Sequence, residues 1–162
     1  MNKKGFTLVE LLIVVAIIGI IAAIAIPNLL VALQKGKQKA TMGDMKTLGT
    51  AVESYITDWS FSPGQGAGNA QGPIVDALDE SWFRPFYIKV MPLRDGWGYA
   101  MQYVAGAAGD DDQDAYSVIS YGRNMAEDNL ELGEYEVMAL GDFNQDIVYS
   151  NGQFTTGPRV KR

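Results

Sequence analysis

Twenty-one consecutive positions, Phe6 to Ile26, are apolar except for Thr7, Glu10 and glycine. As an α-helix rising 1.5 Å per residue this run is about 31 Å long, enough to cross the hydrocarbon core of a bilayer. It is apolar all round rather than along one stripe, which excludes an ordinary half-buried helix of a soluble core. Beyond Pro27 the pattern changes. Met45, Leu48, Val52, Tyr55, Ile56 and Trp59 recur at helical spacing, which predicts an amphipathic continuation with one face buried against a C-terminal head. Pro27 cannot donate to the helical ladder and predicts a kink or a loosened turn. The preceding Ile17–Ile26 stretch is rich in β-branched residues and holds Gly19, and it suits either local unwinding or a rigid, mildly bent helix. Gly36, Gly43 and Gly49 each weaken the helix by up to ~1 kcal/mol relative to alanine. They suit close approach of helices in a bundle or plain surface positions equally well.

The rest of the chain reads as short elements between turns. Ser62 to Pro73 is loop by composition. Its glycines do not form a phosphate cradle, because no strand precedes them and no Gly-Lys-Ser/Thr follows. A short helix is predicted around Ile74–Leu78. Strands are predicted at Tyr99–Val104, Tyr116–Tyr121 and Asp146–Tyr149, from their β-branched and aromatic content. The last ends at Asn151-Gly152, a tight-turn dipeptide. A long helix followed by a small antiparallel sheet is an α+β chain.

Composition narrows the chemistry. There is no histidine and no cysteine, so the commonest general base, the commonest transition-metal ligand and any disulfide are missing. No nucleophile–base pair is visible, and an enzyme is not expected. The formal net charge is −6, unevenly spread. Residues 1–46 hold Lys3, Lys4, Lys35, Lys37, Lys39 and Lys46 against Glu10 and Asp44, whereas residues 47–162 carry a net −10. An acidic outer part argues against nucleic acid as a partner. The Lys35–Lys46 cluster is either a solvated face or, in a staggered assembly, a surface facing acidic heads of neighbours.

The N-terminal segment admits three plain readings: a cleaved secretory signal, a membrane anchor or a core helix. Lys3 and Lys4 with Ala23-Ile24-Ala25 fit the first, although the apolar run is long for it. Glu10 is the discriminating residue, since a carboxylate inside a membrane helix is costly and needs a partner. The string Lys3-Lys4-Gly5-Phe6-Thr7-Leu8-Val9-Glu10-Leu11-Leu12, continuing apolar to Ile26 and then Pro27, closely resembles the class III leader and N-terminal helix of type IV pilins and type II secretion pseudopilins. In the head, Asp95-Gly96-Trp97-Gly98-Tyr99-Ala100-Met101-Gln102-Tyr103 and Tyr116-Ser117-Val118-Ile119-Ser120-Tyr121-Gly122-Arg123-Asn124 are similar to stretches of the major pseudopilin family, protein G of type II secretion. Gly96 replaces a proline of that pattern, Tyr99-Ala100 an Asn-Pro, and Asn124 an aspartate.

The resemblance implies a type IV pilin fold and a division into a leader (1–5), an N-terminal helix (6–58) and a head (59–162). Residues 6–26 would be the membrane and filament-core part of the helix, and 27–58 its amphipathic part. It implies cleavage between Gly5 and Phe6 by a prepilin peptidase, N-methylation of Phe6, and assembly into a helical homopolymer in which Glu10 faces the Phe6 ammonium of a neighbour. Two opposite charges in an apolar bundle offset each other's burial only when paired. It further implies a single-pass inner-membrane precursor with its head outside the cytoplasm, although Lys3/Lys4 and Lys35/Lys37/Lys39 pull the charge rule in opposite directions. The partners implied are an inner-membrane assembly platform and minor pilins or pseudopilins, in a pseudopilus serving protein secretion. A surface pilus for adhesion, motility or DNA uptake is the alternative, and a membrane-anchored binding or enzymatic domain a third. Finally, the family binds calcium in an acidic loop, which here is Asp142-Phe143-Asn144-Gln145-Asp146-Ile147. Asn124, Asp142, Asn144 and Asp146 are the expected calcium ligands. Alternate oxygen side chains suit a hard cation, and they suit an Asx-capped turn equally. Asp110–Asp114 reads as a solvated loop.

Overall fold

A computed structural model describes residues 5–64, 71–78, 83–106, 113–128, 136–138 (backbone only) and 141–158. Lys3, Lys4, the centre of the Ser62–Pro73 loop and Asp110–Asp112 lie outside the described residues. The chain forms two compact units, Met1–Gln34 and Lys35–Arg162.

In the first unit, helix α1 starts at Leu8 and presents apolar side chains on every side. Its large hydrophobics from Leu8 to Leu33 are all exposed. α1 extends to Trp59 and is unbroken at Pro27. The Asn28 side-chain amide donates to the Ile24 carbonyl at 3.1 Å, next to the ladder position that proline leaves without a donor.

In the second unit, α1 buries Gln38, Thr41, Met45, Leu48, Gly49, Ala51, Val52 and Tyr55, the face that the three- and four-residue spacing predicts. Ile56 is half-buried. Trp59 departs from the expected stripe and is exposed, because the helix ends there and its ring stacks on Tyr55 at 6.2 Å rather than entering the core.

Among the described residues six strands form one sheet: β1 (Gln71–Pro73), β2 (Gln102–Ala105), β3 (Tyr116–Ser120), β4 (Glu136–Met138), β5 (Ile147–Ser150) and β6 (Gln153–Pro158), in spatial order β1-β2-β3-β5-β6-β4. The first five in that order pair antiparallel, and β4 adds to the far edge parallel to β6. A short helix α2, Ile74–Ala77, sits where the sequence predicts it. Tyr103, Val118, Ile147 and Tyr149 from the sheet meet Met45, Leu48, Val52 and Tyr55, with Ile74, Leu78, Phe83 and Met101 closing the core. Each such buried side chain stabilises the fold by about 1.5–3 kcal/mol. The Asn151-Gly152 turn joins β5 to β6 with φ of 46° and 86°, the left-handed pair of a type I′ hairpin.

Gly49 settles one of the three glycine positions. A methyl group built there would overlap the Tyr149 ring, and the Tyr116 hydroxyl donates to the Gly49 carbonyl at 3.2 Å. The glycine lets the chain's own sheet approach the helix; it is not a surface position. Gly36 and Gly43 are open. Gly49→Ala should therefore destabilise the head by about 1–3 kcal/mol through overpacking, despite alanine's better helix propensity, whereas Gly43→Ala should be neutral or stabilising. Thermal melting of the two variants checks this.

Candidate functional site

The N-terminal site is built around a helix start. Gly5, Phe6 and Thr7 are non-helical and exposed, and Phe6 is 73% accessible. The Gly5-Phe6 peptide therefore lies in exposed, non-helical chain just before α1. Thr7 caps the helix. Its hydroxyl accepts from the Glu10 amide at 3.2 Å, while Glu10 Oε2 accepts from the Thr7 amide at 2.9 Å and from the Thr7 hydroxyl at 2.8 Å. This is a reciprocal capping box, which satisfies orphan donors at the helix N-terminus. The sequence signal was present as Thr-x-x-Glu before an apolar run. Both of these bonds to the carboxylate use Oε2.

The acidic loop is tied by its own hydrogen bonds. Asp142 Oδ1 accepts from the Asn144 amide at 3.1 Å. Asn144 Oδ1 accepts from Arg123 Nε at 3.0 Å. Asn124 Oδ1 accepts from the Ala126 amide at 3.3 Å. These three side chains are exposed; Asp142 and Asn124 cap their own turns, and Asn144 is held by Arg123. Asp146 is buried, and its partner is Asp128, which the sequence reading missed. Each of the two carboxylates accepts the other's backbone amide at 3.0 Å. Asn124, Asp142 and Asn144 thus each spend a side-chain oxygen on a hydrogen bond within the protein. Among the described residues no three His, Cys, Asp or Glu side chains gather to hold a metal. One feature does suit a cation: Asp146 Oδ1 is buried and has no hydrogen-bond partner. Burial and the charges of Asp128 and Glu127 push the Asp146 carboxyl up to about 6, against the amide donated by Asp128.

The tryptophan motif has a structural centre. Asp95 is buried. Its Oδ1 accepts from the Trp97 and Tyr99 amides at 3.0 and 2.9 Å, and its Oδ2 accepts from the Ser120 hydroxyl at 2.8 Å. Gly96 donates its amide to Thr41 Oγ1 at 2.9 Å, and a side chain there would overlap the Lys37 carbonyl. The motif therefore docks a turn onto both the helix and β3.

A helix that is apolar all round, joined to a head of one amphipathic helix half and a small antiparallel sheet, defines a type IV pilin-like subunit. The comparisons place it further. Residues 1–26 match the prokaryotic N-terminal methylation motif, and residues 28–139 match the model of type II secretion system protein G. The chain belongs to the type II secretion system protein G family. It is 30% identical over 140 residues to type II secretion system core protein G of Pseudomonas aeruginosa, covering 83% of this chain and 96% of that protein. With its counterpart in Vibrio cholerae it shares 31% over 145 residues, 88% and 93% of the two chains. A type IV major pilin, PilA of Myxococcus xanthus, is 51% identical over 57 residues, 35% of this chain and 26% of that protein. No solved structure matches significantly.

Proposed function

We propose that this chain is the structural, non-catalytic subunit of a pseudopilus in a type II secretion system. It is made as a single-pass membrane precursor, cut between Gly5 and Phe6 by a prepilin peptidase, and methylated on the new Phe6 amine. It is then assembled with further copies, minor pseudopilins and a membrane platform. The head lies on the extracytoplasmic side and the filament in the periplasm. The observation that carries this reading is the fully exposed apolar surface of Leu8–Leu33. A surface of that size needs lipid before assembly and other helices after it. Within the bundle, Glu10 pairs with the Phe6 ammonium of a neighbour. Intact-mass analysis of the mature protein should show loss of residues 1–5 and gain of one methyl. An N-terminus at Ile26, or no cleavage, would overturn the processing step.

The N-terminal likeness to the M. xanthus pilin favours a second reading, a subunit of a surface type IV pilus. Electron microscopy separates the two: long filaments on the cell surface indicate the pilus, short ones confined to the envelope the pseudopilus.

Calcium enters the proposal through Asp146 alone among the four expected ligands, supported by its unpartnered buried oxygen beside the Asp128 and Glu127 charges. When bound, calcium would neutralise this cluster. A bound cation adds about 2.7 kcal/mol at a hundredfold excess over Kd. The full chain in detergent should therefore melt higher in calcium than in chelator, and Asp146→Ala should erase the difference. Equal melting at millimolar calcium would mean that the loop is only a self-capped turn.

Protons should substitute for the metal. The folded carboxyl titrates near 6 and the unfolded one near 3.8. The folded state therefore binds more protons between those values, and stability falls as pH rises through that window. In chelator, melting at pH 5 should exceed that at pH 7 by the equivalent of about 1 kcal/mol, allowing for solvent screening. Asp146→Asn should flatten the profile.

A further inference from the structure

The helix in the second unit carries a basic face that nothing among the described residues neutralises. At 100° per residue, Lys35, Lys39 and Lys46 fall within about 40° of arc on α1. All three are exposed, and none forms an ion pair among the described residues. Farther along the same line of the helix stands Glu53. With Ile56, Thr57, Asp114, Tyr116 and Asn151 it lines an open cleft of about 320 Å³. The Tyr116 hydroxyl donates to Glu53 Oε1 at 2.9 Å. Among the described lining residues two carry a carboxylate and none is basic.

We infer that the lysine face of α1 is an assembly surface, and that its occupant is the Glu53/Asp114 cleft of a second copy. This deepens the filament reading and rests on it. Two observations favour a copy of the chain over lipid. The first is charge complementarity between the two surfaces, both present on every subunit and too far apart along one helix to pair within it. Lys46 and Glu53 are seven residues, about 10.5 Å, apart on a rigid helix. The second is length. The lysine stripe runs about 16.5 Å along the axis, whereas a headgroup layer is only about 5–8 Å thick. Lys35 and Lys39 fit such a layer; Lys46 overshoots it. Pairing Lys46 with Glu53 between parallel copies requires an axial offset of seven residues, about 10.5 Å.

The test uses filaments assembled from an equal mixture of ordinary and nitrogen-15 protein, coupled with a zero-length carbodiimide. Mixed-isotope cross-links from Lys35, Lys39 or Lys46 to Glu53 or Asp114 are expected. Cross-linked filaments in which these lysines join only other carboxylates, or none, overturn the inference. In a second arm, Lys39→Glu/Lys46→Glu should lower filament yield at least tenfold with unchanged head melting, since both positions are exposed. Adding Asp114→Lys should restore yield to within about threefold. If the double variant instead assembles normally but loses binding to vesicles containing anionic phospholipid, the face reads lipid and the inference fails. If the unaltered mature chain forms no filaments at all, the filament reading itself has failed, which is a different result.

Discussion

Glu10→Ala should abolish ordered filaments while leaving the subunit membrane-inserted and the head's melting temperature unchanged. Two roles converge on this carboxylate. In the isolated chain it closes the capping box with Thr7, a contribution of about 0.5–2 kcal/mol to the helix start. In an assembled bundle its charge would neutralise a neighbour's Phe6 ammonium. Losing one partner of a buried pair costs about 3–5 kcal/mol at each contact, a hundredfold or more in association. The roles separate on Glu10→Gln. Glutamine serves a capping box as glutamate does, but carries no charge. If pairing dominates, both variants lose filaments, as counted by electron microscopy of sheared preparations. If Glu10→Gln assembles like the wild type, the carboxylate is only a cap.

The second large effect is expected at Asp95. Asp95→Ala removes an acceptor from two backbone amides and one buried hydroxyl. Each buried donor left unmade costs about 1–3 kcal/mol. The sum, about 3–5 kcal/mol after water reaches part of the site, is a large fraction of a domain's usual 5–15 kcal/mol. The variant should accumulate poorly and lose its cooperative melting transition. Asp95→Asn should cost far less, about 1–2 kcal/mol. Its amide oxygen keeps the Trp97 and Tyr99 donors, and the Ser120 hydroxyl can turn to accept from the new NH₂. Equal damage from both substitutions would show that charge, not hydrogen bonding, holds the turn. Limited proteolysis of the two variants distinguishes the cases without requiring reversible unfolding.

Most of the local structure was legible in the sequence. The apolar run, the amphipathic stripe at Met45, Leu48, Val52 and Tyr55, the short helix at Ile74 and the three central strands all follow from periodicity and propensity. Boundaries shifted where a turn took over. Tyr99 and Ala100 belong to the hairpin that Asp95 organises rather than to β2, as the Asp95 amide bonding to the Tyr99 carbonyl and the bridge from Arg94 to Ala100 show. The strands that went unread, β1, β4 and β6, are short or hold glycine and proline. Pairing with a neighbour, not intrinsic preference, makes them strands.

By itself the sequence determined the parts whose chemistry is local. Twenty-one nearly unbroken apolar positions need an apolar environment wherever the rest of the chain goes. The Thr7-x-x-Glu10 string carries the helix cap within four residues, so spacing alone specifies it. The tertiary structure decided what depends on distant residues meeting. Asp146 exchanges hydrogen bonds with Asp128, which no spacing in the sequence predicts. Gly49 is a packing glycine only because Tyr149, a hundred residues later, lies against it. Thr41 and Ser120 become anchors of the tryptophan turn for the same reason. Hydrogen bonds and van der Waals contacts act over a few ångströms, and only the fold determines which residues come that close.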